Sequence, residues 1–341
     1  MRSGFLIRKR KEDNMKTGKI SETILKRSVL KRISKRRPEI ISGPAVGMDY
    51  CAVKIAEDEV FVISVDSFTE MDKDYIRANI VAAVNNIATS GAEALGVMIA
   101  AFLPSQLDEP EFRLFVDQAE ETCKELNIQA MGGHTQITDA VNKPIIAVTA
   151  LGKVKEGKLL SIKKAKAGQD LVLTKWIGLE GSSILAKEKE SIIEKKYKTE
   201  LISKAKNYDQ YLSIIPEAAT AVKSGASALH DLAQGGIMAA LWDIAEASGT
   251  GLKVDLRSIP VQQETIEICE IFDINPYRLI SGGSLLIACD NGLDMVDALR
   301  AEGINAEIIG RLTDSNDKII MNDGEVTYLD LPQPDEILKA L

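Results

Sequence analysis

Asp49, Asp66 and Asp231 each stand beside residues that let a carboxylate meet a phosphate. Asp49 follows Gly47-Met48, Asp66 closes an apolar run, and Asp231 shortly precedes Gly235-Gly236. Glycine lets backbone N–H groups approach an anion closely, and consecutive amides form an anion-binding nest. Carboxylates next to such amides suit a phosphate bridged to a divalent cation. Magnesium prefers oxygen ligands of this kind and keeps several waters. Two further groups extend the set, Asn85-Asn86 and Gly132-Gly133-His134-Thr135. An amide coordinates magnesium without neutralising charge, whereas His134 contacts a phosphate when protonated or binds a different metal. More glycines cluster at 178–181 and 282–284. Taken singly, each cluster is an ordinary turn and His134 a turn histidine; the association with three aspartates points to a site. None has the Walker A or Rossmann spacing, so those nucleotide folds have no motif support.

The elements that must position these residues follow from periodicity. Residues 60–65 form a β-branched, apolar strand with Asp66 at its C-terminal end. Ile76, Ile80, Ala83, Val84 and Ile87 then recur at helical spacing, Ser90-Gly91 caps the helix, and 95–103 is a second strand. Asn85-Asn86 would face Asp66 from that helix; the plainer alternative is that Asp66 only starts a turn. A helix is expected over 19–33 with Ser21 as its N-cap, and another over 110–126. Gly132–Thr135 reads as a glycine turn before a strand at 144–151. A lysine-rich stretch at 152–168 marks a junction. Beyond it come strands at 170–174, 285–289 and 306–310, a solvated charged helix at 187–207, and helices at 218–224, from the run 229–237 onward through 247, and at 292–302. A hairpin at Asn322-Asp323-Gly324 closes the pattern. The expected division is a basic arm and helix (1–38), an N-terminal domain (39–153) and a C-terminal domain (154–341).

Bulk composition narrows the class. At 341 residues, 45% hydrophobic and 27% charged, the chain suits two ordinary globular domains. No apolar run approaches the ~20 residues of a membrane span, and the start lacks a signal-peptide core, so a cytoplasmic protein is expected. Cys51, Cys123, Cys269 and Cys289 are far apart and read as reduced thiols. Two histidines exclude a histidine-rich metal site. Residues 1–38 carry 14 Lys and Arg against three acids, while the remainder carries 28 against 47. Without interleaved aromatics this basic segment reads as a solvated arm or helix, and nucleic acid is not an expected partner. Met15 is an alternative start, with 1–14 an extension.

With these residues in place, the chain resembles the aminoimidazole ribonucleotide (AIR) synthase superfamily over residues 16–331. The carriers are Gly47-Met48-Asp49, Val65-Asp66-Ser67, Asn85-Asn86-Ile87-Ala88 with Gly91-Ala92, Gly132-Gly133-His134-Thr135, and His230-Asp231 with Gly235-Gly236. Residues 230–248 and Ile259-Pro260-Val261 look most like its hydrogenase-maturation branch, HypE. The resemblance implies an α/β (α+β) two-domain fold. An N-terminal mixed, four-stranded sheet pairs across a homodimer into a barrel, and a C-terminal α+β domain lies beside it. ATP and Mg2+ are the implied cofactors. Gly47, Asp49, Asn85, Asn86, Gly132, Gly133, His134 and Thr135 would lie at the nucleotide, with Asp49 and Asp66 on the metal. Asp66 and Asp231 are the catalytic candidates, and Gly235 and Gly236 serve the substrate. The implied activity is ATP-dependent phosphoryl transfer or oxygen activation of a small substrate or protein-borne group, in hydrogenase or other metalloenzyme maturation, with a maturation partner. Its logic is charge neutralisation and in-line placement of the γ-phosphoryl group.

The chain departs from the branch at definite places. Met48-Asp49 stands for paired aspartates, Asn85-Asn86 for Asn-Asp, and Gly132-Gly133-His134-Thr135 for Gly-Gly-Asp-Thr. Three acids are thus replaced, at Met48, Asn86 and His134. The branch's C-terminal reactive cysteine has no counterpart in 332–341, and Cys289 falls in a strand as a buried, uncatalytic thiol. These departures support a second reading, a catalytically weakened nucleotide-binding protein that partners maturation.

Overall fold

The computed structural model describes residues 18–19, 22–42, 44–45, 51–67 and 75–341. Ser21, Gly47, Met48 and Asp49 lie outside the described residues. The chain divides into two compact units, one of Met1–Ile55, Val65–Ile80 and Leu95–Ala150, the other of Ala56–Ser64, Val81–Ala94 and Leu151–Leu341. Two main sheets with their helices give a two-domain α/β (α+β) architecture.

The first half runs β1 (Gly18–Lys19), α1 (Glu22–Ile24, continued by a π-helical stretch over Leu25–Leu30), β2 (Ile40–Ser42), β3 (Ala52–Val53), β4 (Glu59–Ser67), α2 (Tyr75–Thr89), β5 (Glu93–Pro104), α3 (Glu109–Glu125), β6 (Gln129–Thr138) and β7 (Ile145–Lys155). Its main sheet has the order β1-β6-β5-β7-β4, while β2 and β3 pair separately. On β7 every second residue, Ile146, Val148 and Ala150 among them, is buried, the period-2 signature of a sheet covered on one face. The expected stripe of α2 (Ile76, Ile80, Ala83, Val84, Ile87) is buried throughout. On α3, Asp108 Oδ1 accepts the Glu111 N–H at 2.8 Å and Glu111 Oε2 accepts the Asp108 N–H at 3.1 Å, a reciprocal capping box.

The basic helix expected over 19–33 is shorter in its described part, and one of its faces packs on α3 while Glu22, Lys26 and Lys31 remain exposed. Arg27 and Ser28 bond Glu109, Arg32 bonds Asp117, and Arg36 bonds Glu120. Those acids recur on α3 at near-helical spacing, so one face of the helix meets successive side chains of the segment. Among the described residues, Arg27, Arg32 and Arg36 thus pair with carboxylates of α3.

The second half contains β8 (Asp170–Thr174), α4 (Leu179–Glu188), α5 (Glu190–Ile193), α6 (Thr199–Lys206), α7 (Ile215–Lys223), β9 (Ala228–Asp231), α8 (Gly236–Ser248), β10 (Gly251–Asp255), α9 (Gln263–Phe272), β11 (Leu285–Cys289), α10 (Gly292–Ala301), β12 (Ala306–Thr313), β13 (Lys318–Asn322) and β14 (Glu325–Tyr328). Seven strands form one sheet in the order β14-β13-β10-β12-β8-β11-β9. Only β10 and β13 pair in parallel among its registered neighbours. Both sheet faces are covered, which is why β8 and β11 read as continuous apolar runs. Leu171 and Leu173 pack in the core that contains Ile237, Leu241 and Ile244 of α8. Val172 points to the opposite core, with Ala218 of α7 and Val296 of α10.

Candidate functional site

Asp66 takes its position from β4. Phe61, Ile63 and Val65 are 42%, 65% and 66% exposed, while the residues between them are half-buried. Ion pairs join Lys153 to Glu59 at 3.4 Å and Lys155 to Asp58 at 3.1 Å, so β4 begins where β7 ends. Asp66 therefore lies at the sheet end where β7 starts and β5 and β6 finish. At that end a cavity of about 970 Å³ is lined by Pro104, Leu107, Glu111, Asp139, Asn142 and Pro144. Asp66 shares that end of the sheet but is not among the residues lining the cavity.

Gly132–Thr135 is not a turn. All four residues belong to β6 and pair with β5 in parallel, Met98 opposite Gly132, Ile99 opposite Gly133 and Ala100 opposite His134. The register shifts between Val97 and Met98, so Met131 is the extra residue of a bulge. Gly133 has φ 154°, and a β-carbon there would stand 2.0 Å from the Ile99 carbonyl oxygen. The glycine thus serves close approach of two strands, and the expected anion nest gives way to ladder hydrogen bonds. His134 is exposed; its Nε2 is 3.4 Å from Gln136 Oε1 and its ring lies 6.3 Å from that of Phe102. The parity of β4 and β7 places Asp66 on the helix-covered face, whereas His134 shares the open face with Phe102. Three strand spacings, about 14 Å, separate β6 from β4. The fold does not bring Asp66 and His134 together within one chain.

Asn85 and Asn86 divide their duties. Asn85 is 3% exposed; its Nδ2 donates to the Leu212 carbonyl at 2.8 Å and its Oδ1 accepts the Ile214 N–H at 3.1 Å. It acts as a clamp on a distant loop, with its oxygen and one N–H engaged by backbone. Asn86 is half-buried, and its carbonyl accepts the Thr89 hydroxyl at 2.8 Å.

Asp231 ends β9 and is half-buried; it pairs in register with Leu285. The neighbouring His230 reaches Asp243 at 3.5 Å. Gly235 and Gly236 open α8 with φ of 79° and 60°, and a β-carbon at Gly236 would meet the Tyr277 carbonyl at 2.7 Å. Their left-handed backbone turns the chain from β9 into the helix, as only glycine does without strain. Sequence reasoning missed what holds this corner. Asp335, 7% exposed, accepts the N–H groups of Gly235, Ile337 and Ile280 at 2.6, 2.9 and 3.2 Å. Burial raises its pKa above the ordinary carboxylate value, against the pull of those donors. No glycine or periodic pattern surrounds Asp335 to signal it.

Burial disfavours the thiolate at three cysteines. Burial pushes Cys123 and Cys269 up to about 12 and Cys289 up to about 11. Among the described residues, no group of three or more His, Cys, Asp or Glu side chains gathers to hold a metal, and no helix is long and apolar enough to cross a membrane.

Two sequence profiles match the chain: AIR synthase related protein, N-terminal domain, over residues 47–154, and its C-terminal domain over residues 166–322. A protein of Methanocaldococcus jannaschii, provisionally named a hydrogenase expression/formation protein, is 26% identical over 318 residues, 89% of this chain and 91% of that one. Carbamoyl dehydratase HypE of Rhodobacter capsulatus is 23% identical over 234 residues, 67% of this chain and 66% of that protein. The structure of Escherichia coli HypE superposes with a TM-score of 0.80 at 20% identity, covering 94% of this chain and 100% of that one. A HypE in complex with ATP gives 0.76 at 17% identity, with coverages of 92% and 96%. A chain of a HypE–HypF complex gives 0.69 at 21% identity, with coverages of 80% and 90%. At such identities these structures speak to the fold, which is theirs.

Proposed function

Since the chain belongs to the AIR synthase related family, we propose that it is a HypE-like, ATP-binding protein of metalloenzyme maturation. It would transfer a phosphoryl group, or activate an oxygen with ATP, on a small molecule or protein-borne group. The observation that carries this reading is the half-buried carboxylate of Asp66 at the C-terminal end of β4. Its oxygen-only donor character fits magnesium, which binds through one or two carboxylates plus phosphate oxygens. Asp66 and Asp49 would hold the ion, and the ion would supply charge neutralisation at the transferring phosphoryl group. Asn86 offers a neutral amide from α2, and Asn85 holds the helix that presents it. Gly47, Gly132, Gly133, His134 and Thr135 remain candidates for the nucleotide end, while Asp231, Gly235 and Gly236 serve the substrate end. The group acted on is not carried by Cys123, Cys269 or Cys289, whose thiols are buried.

A second copy of the chain is part of the proposal. Phe61, Ile63 and Val65 leave an apolar row on an edge strand, a surface that an unpaired sheet normally covers. The HypE–HypF complex supports a maturation partner as well, and a cytoplasmic setting suits both.

Calorimetric titration with Mg–ATP, followed by ADP release with small-molecule acceptors and candidate partner proteins, tests the reading. Binding with acceptor-dependent release is expected. The second reading, a nucleotide-binding partner without turnover, is favoured by the consumption of Asn85 by backbone contacts. Binding without release under every acceptor would establish it, and absence of binding would sink both.

A further inference from the structure

Lys175 follows β8 directly and is 6% exposed. Its Nζ donates to the carbonyls of Tyr211 and Ser213, each at 2.8 Å, and meets Glu217 Oε1 at 2.8 Å. Glu217 is itself 4% exposed, and its Oε2 is buried without a hydrogen-bond partner among the described residues. An ammonium has three N–H donors and no acceptor. Three oxygens at one distance use every donor, whereas a neutral amine would aim its lone pair at one of them. The geometry therefore calls for the charged form. Burial lowers the lysine's pKa, and Glu217 pulls it back.

Viewed without its side chain, the same place is a buried cage of two carbonyl oxygens and a carboxylate. One wall is independently fixed, because Asn85 clamps Leu212 and Ile214 from α2. A single carboxylate among neutral oxygens balances one positive charge. A divalent ion would leave an excess positive charge in a buried place with one carboxylate.

We infer that residues 211–217 form a monovalent-cation cage whose cation is the tethered ammonium of Lys175, and that the cage accepts K+ or NH4+ when that side chain is removed. The native protein supplies this charge covalently, so the loop that sets Tyr211 edge-on to Trp176, ring centroids 5.9 Å apart, does not depend on which salt surrounds it.

The test compares Lys175→Ala with the native protein by thermal denaturation at one fixed ionic strength. The salts are KCl, NH4Cl and tetramethylammonium chloride. The variant should melt below the native protein in tetramethylammonium, and the deficit should shrink saturably by about 3 °C or more in KCl or NH4Cl. Lys175→Met, which fills the space with an apolar chain, should keep one deficit in all salts. The same holds for Lys175→Ala combined with Glu217→Gln, which removes the balancing charge. An equal deficit for Lys175→Ala in every salt, its failure to fold in any of them, or an equal rescue of either control would overturn the inference.

Discussion

The carboxylate of Asp335 accepts the backbone N–H of Gly235 at 2.6 Å, across a hundred residues of chain. Its other oxygen accepts the N–H groups of Ile280 and Ile337. One side chain thus ties the tail to the glycine corner that begins α8. Asp335→Asn keeps one acceptor oxygen but presents an amide N–H2 to a second donor. The variant should lose about 1–3 kcal/mol, the cost of a buried donor left unmatched. Hydrogen exchange at Gly235 and Gly236 should accelerate; unchanged protection there would show that the tail does not hold the corner.

Asp66 should matter more than His134 for nucleotide binding. Asp66→Asn removes a carboxylate at the C-terminal end of β4 and should weaken Mg–ATP binding by about 1–3 kcal/mol. His134→Asn alters an exposed residue of the open face and should cost less. Calorimetric titration of both variants decides. An equal or larger loss for His134→Asn would show that the histidine has taken over a cation-site duty.

Asn85→Ala should act on stability through the loop it grips. The Leu212 carbonyl and the Ile214 N–H would both lose a partner in a buried place. A cost of about 2–4 kcal/mol follows for the unfolding free energy in urea. A loss well under 1 kcal/mol would mean that neighbouring groups replace the amide at little cost.

The staple between the basic segment and α3 should be acid-labile. Hydrogen bonding from Arg27, then from Ser28, holds Glu109 below its ordinary pKa of 4.5 despite burial. A depressed carboxylate contributes stability that is fully present above the unfolded value and is lost as pH falls through the folded one. Exchange of amides in Leu25–Leu30, corrected for intrinsic rate, should therefore rise as pH drops below about 4.5. Glu109→Gln should flatten that dependence, and a native profile without it would contradict the linkage.

Ile63→Asp should separate the proposed dimer. Ile63 is 65% exposed on β4, and a charge there opposes burial against a second copy. Sedimentation should show a dimer for the native protein and a monomer for the variant. A native monomer at every concentration would remove the interface from the proposal.

The elements around the candidate site were legible because their signals are local. The stripe on α2, the left-handed Gly91 after it, the helix α3 and the hairpin at Asp323-Gly324 all appear where periodicity and turn chemistry placed them. The acid at the end of β4 was legible for the same reason, since a β-branched run ends abruptly at a charge. Local pattern also carried the family resemblance, and with it the two-domain fold.

Other features required the assembled molecule. Gly132-Gly133 has the composition of a turn, and only parallel pairing with β5 makes it strand. Asn85 looked like one of two equivalent amides, yet its partners lie 127 and 129 residues away. Arg27, Arg32 and Arg36 looked solvated until α3 supplied their acids, and Lys175, Glu217 and Asp335 carried no motif at all. The physical reason is common to these cases. A side chain's periodicity and the φ its residue tolerates are properties of neighbours in sequence. The choice of hydrogen-bond partner for a buried polar group depends on which distant backbone packing brings within 3 Å, and no local pattern encodes that distance.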